Sequence, residues 1–155
     1  MKSTFRLFMC LCLLLTGCGR QRDIHMQTVT VFIAGIRAEN MYQIEILEDG
    51  IIKTTNNFNP SSEYAVNKSK ELTKSQCKIV DNMITQVKEY CYDESYLKNT
   101  EVDDGINAYA IIDDVKYTCT FDSRDKKNEK LRELIFELLE LSPVEVELGL
   151  PKRLW

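Results

Sequence analysis

The chain has 155 residues, with 20 Lys and Arg against 24 Asp and Glu, a net charge of −4 and a single histidine. That length suits one domain with a real core. The acidic balance argues against nucleic acid, which wants a basic footprint, and one histidine leaves nucleophile–base chemistry short of its usual base.

Lys2 and Arg6 precede an apolar run, Leu7 to Leu15, and the small residues Thr16 and Gly17 lead to Cys18. A positive start, a short apolar run and small residues form the layout of a secretory signal. The run is too short to span a bilayer, which takes ~20 apolar residues. Leu15-Thr16-Gly17-Cys18 resembles, position by position, the lipobox of bacterial lipoproteins: Leu, a small residue, Gly or Ala, then Cys. The resemblance implies cleavage before Cys18, a diacylglyceryl thioether on its sulfur and usually an acylated amino group. It implies anchorage in the cell membrane or outer membrane, with the domain outside the cytoplasm, since two or more acyl chains hold stably where one does not. It covers residues 1–18 alone. Without residues 1–17 the chain has 18 bases against 24 acids, a net −6.

The expected division is a leader (1–17), a lipidated Cys18 with its tether (18–27), one α+β domain (28–148) and a tail (149–155). The tether carries the only histidine, His25, a poor catalytic candidate there; Arg20 and Arg22 either meet acidic head groups or keep the tether soluble.

Thr28 to Gly35 is rich in Val, Ile and Phe and predicts a strand. Tyr42 to Leu47 alternates, Asp49-Gly50 follows, and Ile51 to Thr55 resumes. Asp-Gly between two such runs predicts a hairpin, because both residues tolerate positive φ. The three strands should form an antiparallel meander. Asn56 to Glu71 then reads as a long polar connection whose large apolar residues, Phe58 and Tyr64, either contact a partner or lie on the domain's own edge.

Thr73 and Gln76 make a capping box at the start of a helix running to about Tyr90. Cys77, Val80, Met83, Ile84, Val87 and Cys91 recur at helical spacing as its buried stripe, with Lys78, Asp81, Asn82, Thr85 and Lys88 opposite. Tyr92 to Gly105 is a second long connection. Its Tyr92, Tyr96, Asp103 and Asp104 could bind a sugar or a metal, or simply form a solvated loop and turn. Asn107 to Ile112 and Val115 to Phe121 predict a second hairpin around Asp113-Asp114, with Cys119 pointing inward.

A second helix follows, with Leu131, Leu134, Ile135, Leu138 and Leu139 buried and Pro143 as its stop; Val144 to Leu148 is a candidate short strand. Arg124, Lys126, Lys127 and Lys130 crowd its start while Glu137 and Glu140 sit near its end, against the preference of the helix dipole. The cluster is either an anion-docking spot or a solvated face whose penalty salt screens.

With Cys18 lipidated, Cys77, Cys91 and Cys119 remain, an odd number where disulfides are permitted. Cys77 and Cys91 cannot pair within one straight helix, ~21 Å apart along its axis. Cys91 and Cys119 are the preferred pair if any forms. The spacings match no zinc pattern, and no metal or other cofactor is expected.

The predicted fold is α+β, a two-layer sandwich of one antiparallel sheet on two helices, in the order βββαββα. Five strands are expected, six if Val144 to Leu148 joins, with hairpin-then-helix occurring twice as a degenerate repeat. No Gly-x-Ser-x-Gly elbow, phosphate loop or calcium loop is present. Adjacent acids such as Asp103-Asp104 suit glycoside chemistry only if they converge in a cleft. The expectation is a non-enzymatic envelope lipoprotein that binds another envelope protein as an inhibitor, immunity factor or assembly accessory. The alternatives are a glycan or small-molecule binder, then a carboxylate-based hydrolase.

Overall fold

The computed structural model describes residues 24–34, 41–56, 66–93, 107–121, 128–146 and 148. They form an α+β fold: one open six-stranded antiparallel sheet with two helices packed on it. The strands are β1 (Val29–Ala34), β2 (Met41–Ile46), β3 (Ile51–Asn56), β4 (Asn67–Glu71), β5 (Asn107–Ile112) and β6 (Val115–Thr120). The helices are α1 (Lys74–Tyr90) and α2 (Glu129–Leu141). The sheet order is β4-β3-β2-β1-β5-β6. β1 therefore lies in the interior, paired with β2 on one side and β5 on the other.

Alternation decides which face of each strand is covered. Val29, Val31 and Ile33 of β1, Tyr42, Ile44 and Ile46 of β2, and Ala108, Ala110 and Ile112 of β5 are buried toward the helices. Opposite them, Cys77, Val80, Ile84 and Val87 of α1 and Leu131, Leu134, Ile135, Leu138 and Leu139 of α2 fill the second layer. Each fully buried aliphatic side chain contributes ~1.5–3 kcal/mol of transfer free energy, so these stripes fix which way the helices face.

The sixth strand is not the expected one. Residues 144–146 take no strand conformation, and the extra strand is β4, within the stretch read as a polar connection. All five of its residues are exposed, so it has no hydrophobic alternation to reveal it. Pairing with β3 alone defines it, and its Lys68 and Lys70 are the charges that edge strands use against further pairing. The order is thus ββββαββα.

Hairpin-then-helix does occur twice. β3 and β4 close one edge of the sheet and lead into α1; β5 and β6 close the other and lead into α2. α1 opens with the expected capping box: Gln76 N–H donates to Thr73 Oγ1 at 3.3 Å and Thr73 N–H to Gln76 Oε1 at 2.9 Å.

The first hairpin turn departs from the expected form. At Asp49-Gly50, only Gly50 has positive φ (80°). Its N–H donates to Leu47 C=O at 3.0 Å, and Leu47 N–H to Ile51 C=O at 3.0 Å. This is the three-residue loop with a left-handed glycine rather than a two-residue turn. Asp113 and Asp114 form a two-residue turn, both left-handed at φ 49° and 63°, a conformation that suits Asn and Gly better.

Both turns lie at the end of the sheet where β1 begins, since Val29 pairs with Ile46 and Thr30 with Ile111. α1 spans that end. A Cβ on Gly50 would lie 3.1 Å from Cys77 Sγ in the second turn of α1, while Lys88 near its other end pairs with Asp113.

Residues ahead of β1 are tied in as well. Met26 is buried and its N–H donates to Glu48 C=O at 3.1 Å. Gln27 N–H donates to Asp81 Oδ1 at 3.0 Å, its side-chain amide to Thr85 Oγ1 at 3.0 Å, and Lys88 Nζ donates to Gln27 Oε1 at 3.1 Å. The polar side of α1 thus receives the strand that enters the sheet.

Candidate functional site: the open face of the sheet

The helices cover one face of the sheet; among the described residues no element packs on the other face, whose side chains are half-buried to exposed. Two cross-strand rows organise it. The central row runs Thr55, Gln43, Phe32, Tyr109, Thr118 from β3 to β6. The neighbouring row runs Lys53, Glu45, Thr30, Ile111, Lys116.

Register explains the aromatic pair at the centre. Phe32 and Tyr109 are direct partners across β1 and β5 and stack with ring centroids 4.7 Å apart and planes 20° from parallel. Lys116, on the far side of Tyr109 from β1, places Nζ 4.5 Å from the Tyr109 ring centroid. An offset aromatic pair contributes ~0.5–1.5 kcal/mol beyond burial, and an exposed cation–π contact ~0.5–1 kcal/mol. Tyr109 thus stands between a ring and an ammonium group. Around this ridge, Met41 and Ile111 remain 37% exposed, and Lys53 pairs with Glu45 at 3.1 Å. The surface is part apolar and part charged.

A concavity of about 620 Å³ lies where α2 gives way to the following chain, lined by Phe136, Leu139, Glu140, Ser142, Val144 and Val146 among others. Its base is fixed by Ser142. That hydroxyl accepts the Val144 N–H at 3.1 Å and lies 2.7 Å from Val144 C=O and 3.0 Å from the buried Thr54 hydroxyl. Nothing in the sequence pattern pointed here, because these residues read as a helix stripe followed by a strand.

Of the residues singled out from sequence, Cys18, Phe58, Tyr64, Tyr96, Asp103 and Asp104 lie outside the described residues. Tyr92 is described, 51% exposed, but its backbone is held: its N–H donates to Asn128 Oδ1 at 2.8 Å and its C=O accepts from Asn128 Nδ2 at 2.9 Å. Asp113 and Asp114 sit exposed on their turn, Asp113 against Lys88. Arg124, Lys126 and Lys127 also fall outside the described residues, while Lys130 pairs with Glu133 at 2.8 Å and is held protonated beyond its ordinary range chiefly by that bond. A cation does meet the C-terminal end of α2, but from another element: Lys70 Nζ of β4 donates to Leu141 C=O at 3.2 Å, as the dipole favours.

None of Cys77, Cys91 and Cys119 is in a disulfide, so Cys91 and Cys119 are not joined here. Cys91 caps the end of α1, its N–H donating to Val87 C=O at 2.9 Å, and its sulfur lies against the backbone N–H groups of Leu131 and Lys130 at the start of α2. Burial pushes the thiol pKa up and outweighs the lowering by those amides.

Among the described residues, no group of His, Cys, Asp and Glu is placed to hold a metal ion, and no helix is long and apolar enough to cross a membrane. The domain belongs to the class of α+β proteins with an open-faced antiparallel sheet. No protein-family model and no curated protein matches the chain.

Proposed function

We propose that this chain is a lipid-anchored protein of the cell envelope that binds another envelope protein through the open face of its sheet, without catalysis of its own. The observation that carries the binding reading is the open face itself: a six-stranded sheet with one side packed by helices and the other presenting the Phe32–Tyr109–Lys116 ridge flanked by exposed Met41 and Ile111. Aromatic and methionine side chains on a partly apolar surface are what protein interfaces use at their centres. The anchoring reading rests on Leu15-Thr16-Gly17-Cys18 after a short apolar run. Three of the described acids, Glu45, Asp113 and Glu133, answer lysines across exposed pairs, which favours a structural use of charge.

The test is photo-crosslinking in intact cells with a photoreactive residue at Ile111 or Met41, and at Gln86 on α1 as the contrast. The expected result is one discrete adduct from both sheet positions, absent from Gln86 and lost from Met41 when Ile111→Glu is added. No adduct from either sheet position, with the protein folded, overturns the binding reading. Unchanged processing and membrane recovery of Cys18→Ala overturns the anchoring.

A further inference from the structure

We infer that the end of the domain formed by Ile24, the β2–β3 turn and the first turns of α1 rests against the lipid surface that holds the protein; this rests on the lipid-anchored reading above. The argument is where the packed chain begins. Ile24 packs at Gly50: a Cβ there would lie 3.4 Å from Ile24 Cγ2. Met26 is buried and bonded to Glu48, and Gln27 is bonded to Asp81 and Thr85. The domain is therefore held from Ile24 onward, not from Thr28, and only the residues between Cys18 and Ile24 separate it from the acylated sulfur. Six Cα steps reach ~20 Å at full extension.

β2 measures that reach. Its six residues span ~20 Å at strand rise, with Leu47 just beyond one end, beside Glu48 and Gly50, and Met41 at the other. Bringing the Met41 end to the bilayer would lift Ile24 by about a strand length and draw the tether to its limit, at the full cost of its conformational entropy. The Ile24 end meets the surface with the tether slack. Charge does not choose this end: Lys74 and Lys78 share it with Glu48, Asp49 and Glu71. The contact is set by tether length and should persist at high salt, unlike a polybasic patch on anionic lipid.

Leu47 and Met41 are matched reporters, both apolar, 38% and 37% exposed. The experiment is hydroxyl-radical footprinting of the lipidated full chain in vesicles of phosphatidylethanolamine and phosphatidylglycerol, against the same chain made without residues 1–18. The expected result is severalfold protection of Leu47 on vesicles, at low and high salt, with Met41 unchanged. Protection of Met41, or of neither residue while the mature mass includes acyl chains, overturns the orientation. Protection of Leu47 that disappears at high salt overturns the tether as its cause. A mature mass without acyl chains overturns the anchored reading instead, and the orientation with it.

Discussion

Asn128 takes up both backbone polar groups of Tyr92, accepting its N–H at 2.8 Å and donating to its C=O at 2.9 Å, as a partner strand would. The second amide proton goes to Thr118 C=O at 2.8 Å. One buried side chain thus ties the end of α1, strand β6 and the start of α2, while its own backbone sits left-handed at φ 52°. Asn128→Ala should cost about 3 kcal/mol in chemical denaturation, because three bonds go and buried backbone groups lose their partners. Asn128→Gly should recover only the backbone part of that loss, since glycine accepts positive φ but makes none of the bonds. Equal stability of the Ala variant and the wild type would refute the assignment.

The Asp113-Asp114 turn holds two non-glycine residues in a left-handed conformation. Asp114→Gly should stabilise the fold by about 1 kcal/mol, the usual relief at such a position. Asp113→Gly should gain less, because it also removes the partner of Lys88, an exposed pair of modest value. The ranking is read from urea midpoints.

Gly50 carries the opposite constraint. Its φ is +80° and an added Cβ meets Cys77 Sγ at 3.1 Å. Gly50→Ala should destabilise by ~1–2 kcal/mol, part backbone strain and part contact. Adding Cys77→Ala should restore the contact part only, so the double-mutant cycle should show favourable coupling. Strict additivity would mean that the sulfur gives way without cost.

Burial raises both the Cys91 thiol and the Tyr117 phenol. A group whose folded pKa lies above its unfolded value stabilises fully below the unfolded value and loses that contribution as pH rises toward the folded one. Thermal stability should therefore fall as pH passes the ordinary thiol and phenol range, about 8.5 to 10. Tyr117→Phe should flatten the upper part of that decline, and Cys91→Ala the lower. An unchanged alkaline profile in both variants would remove these groups as its cause.

Most of the fold was legible because most elements have one wet and one dry face. β1, β2, β3 and β6 alternate, and the stripes of α1 and α2 recur at helical spacing. β4 was not legible: Asn67 to Glu71 is exposed on both sides, so its structure comes from its neighbour and not from its composition. The cation at the C-terminal end of α2 was not legible for a similar reason, since Lys70 comes from that same strand. Asn128 lies within a charged run of the sequence, and its role needs the fold before it can be seen. The two-layer arrangement was legible, but the ridge on the sheet depends on register, which places Phe32 beside Tyr109.

The interior position of β1 sets an order of assembly. β1 to β4 form a meander of local pairings, whereas β5 must return from beyond α1 to join β1, where Ala34 meets Asn107. Such a long-range closure is slow relative to local hairpins. Until it happens, one side of the most apolar strand has no ladder partner. A chain interrupted during synthesis before residue 107 would present that bare edge to its neighbours, the condition under which strands pair between molecules and precipitate.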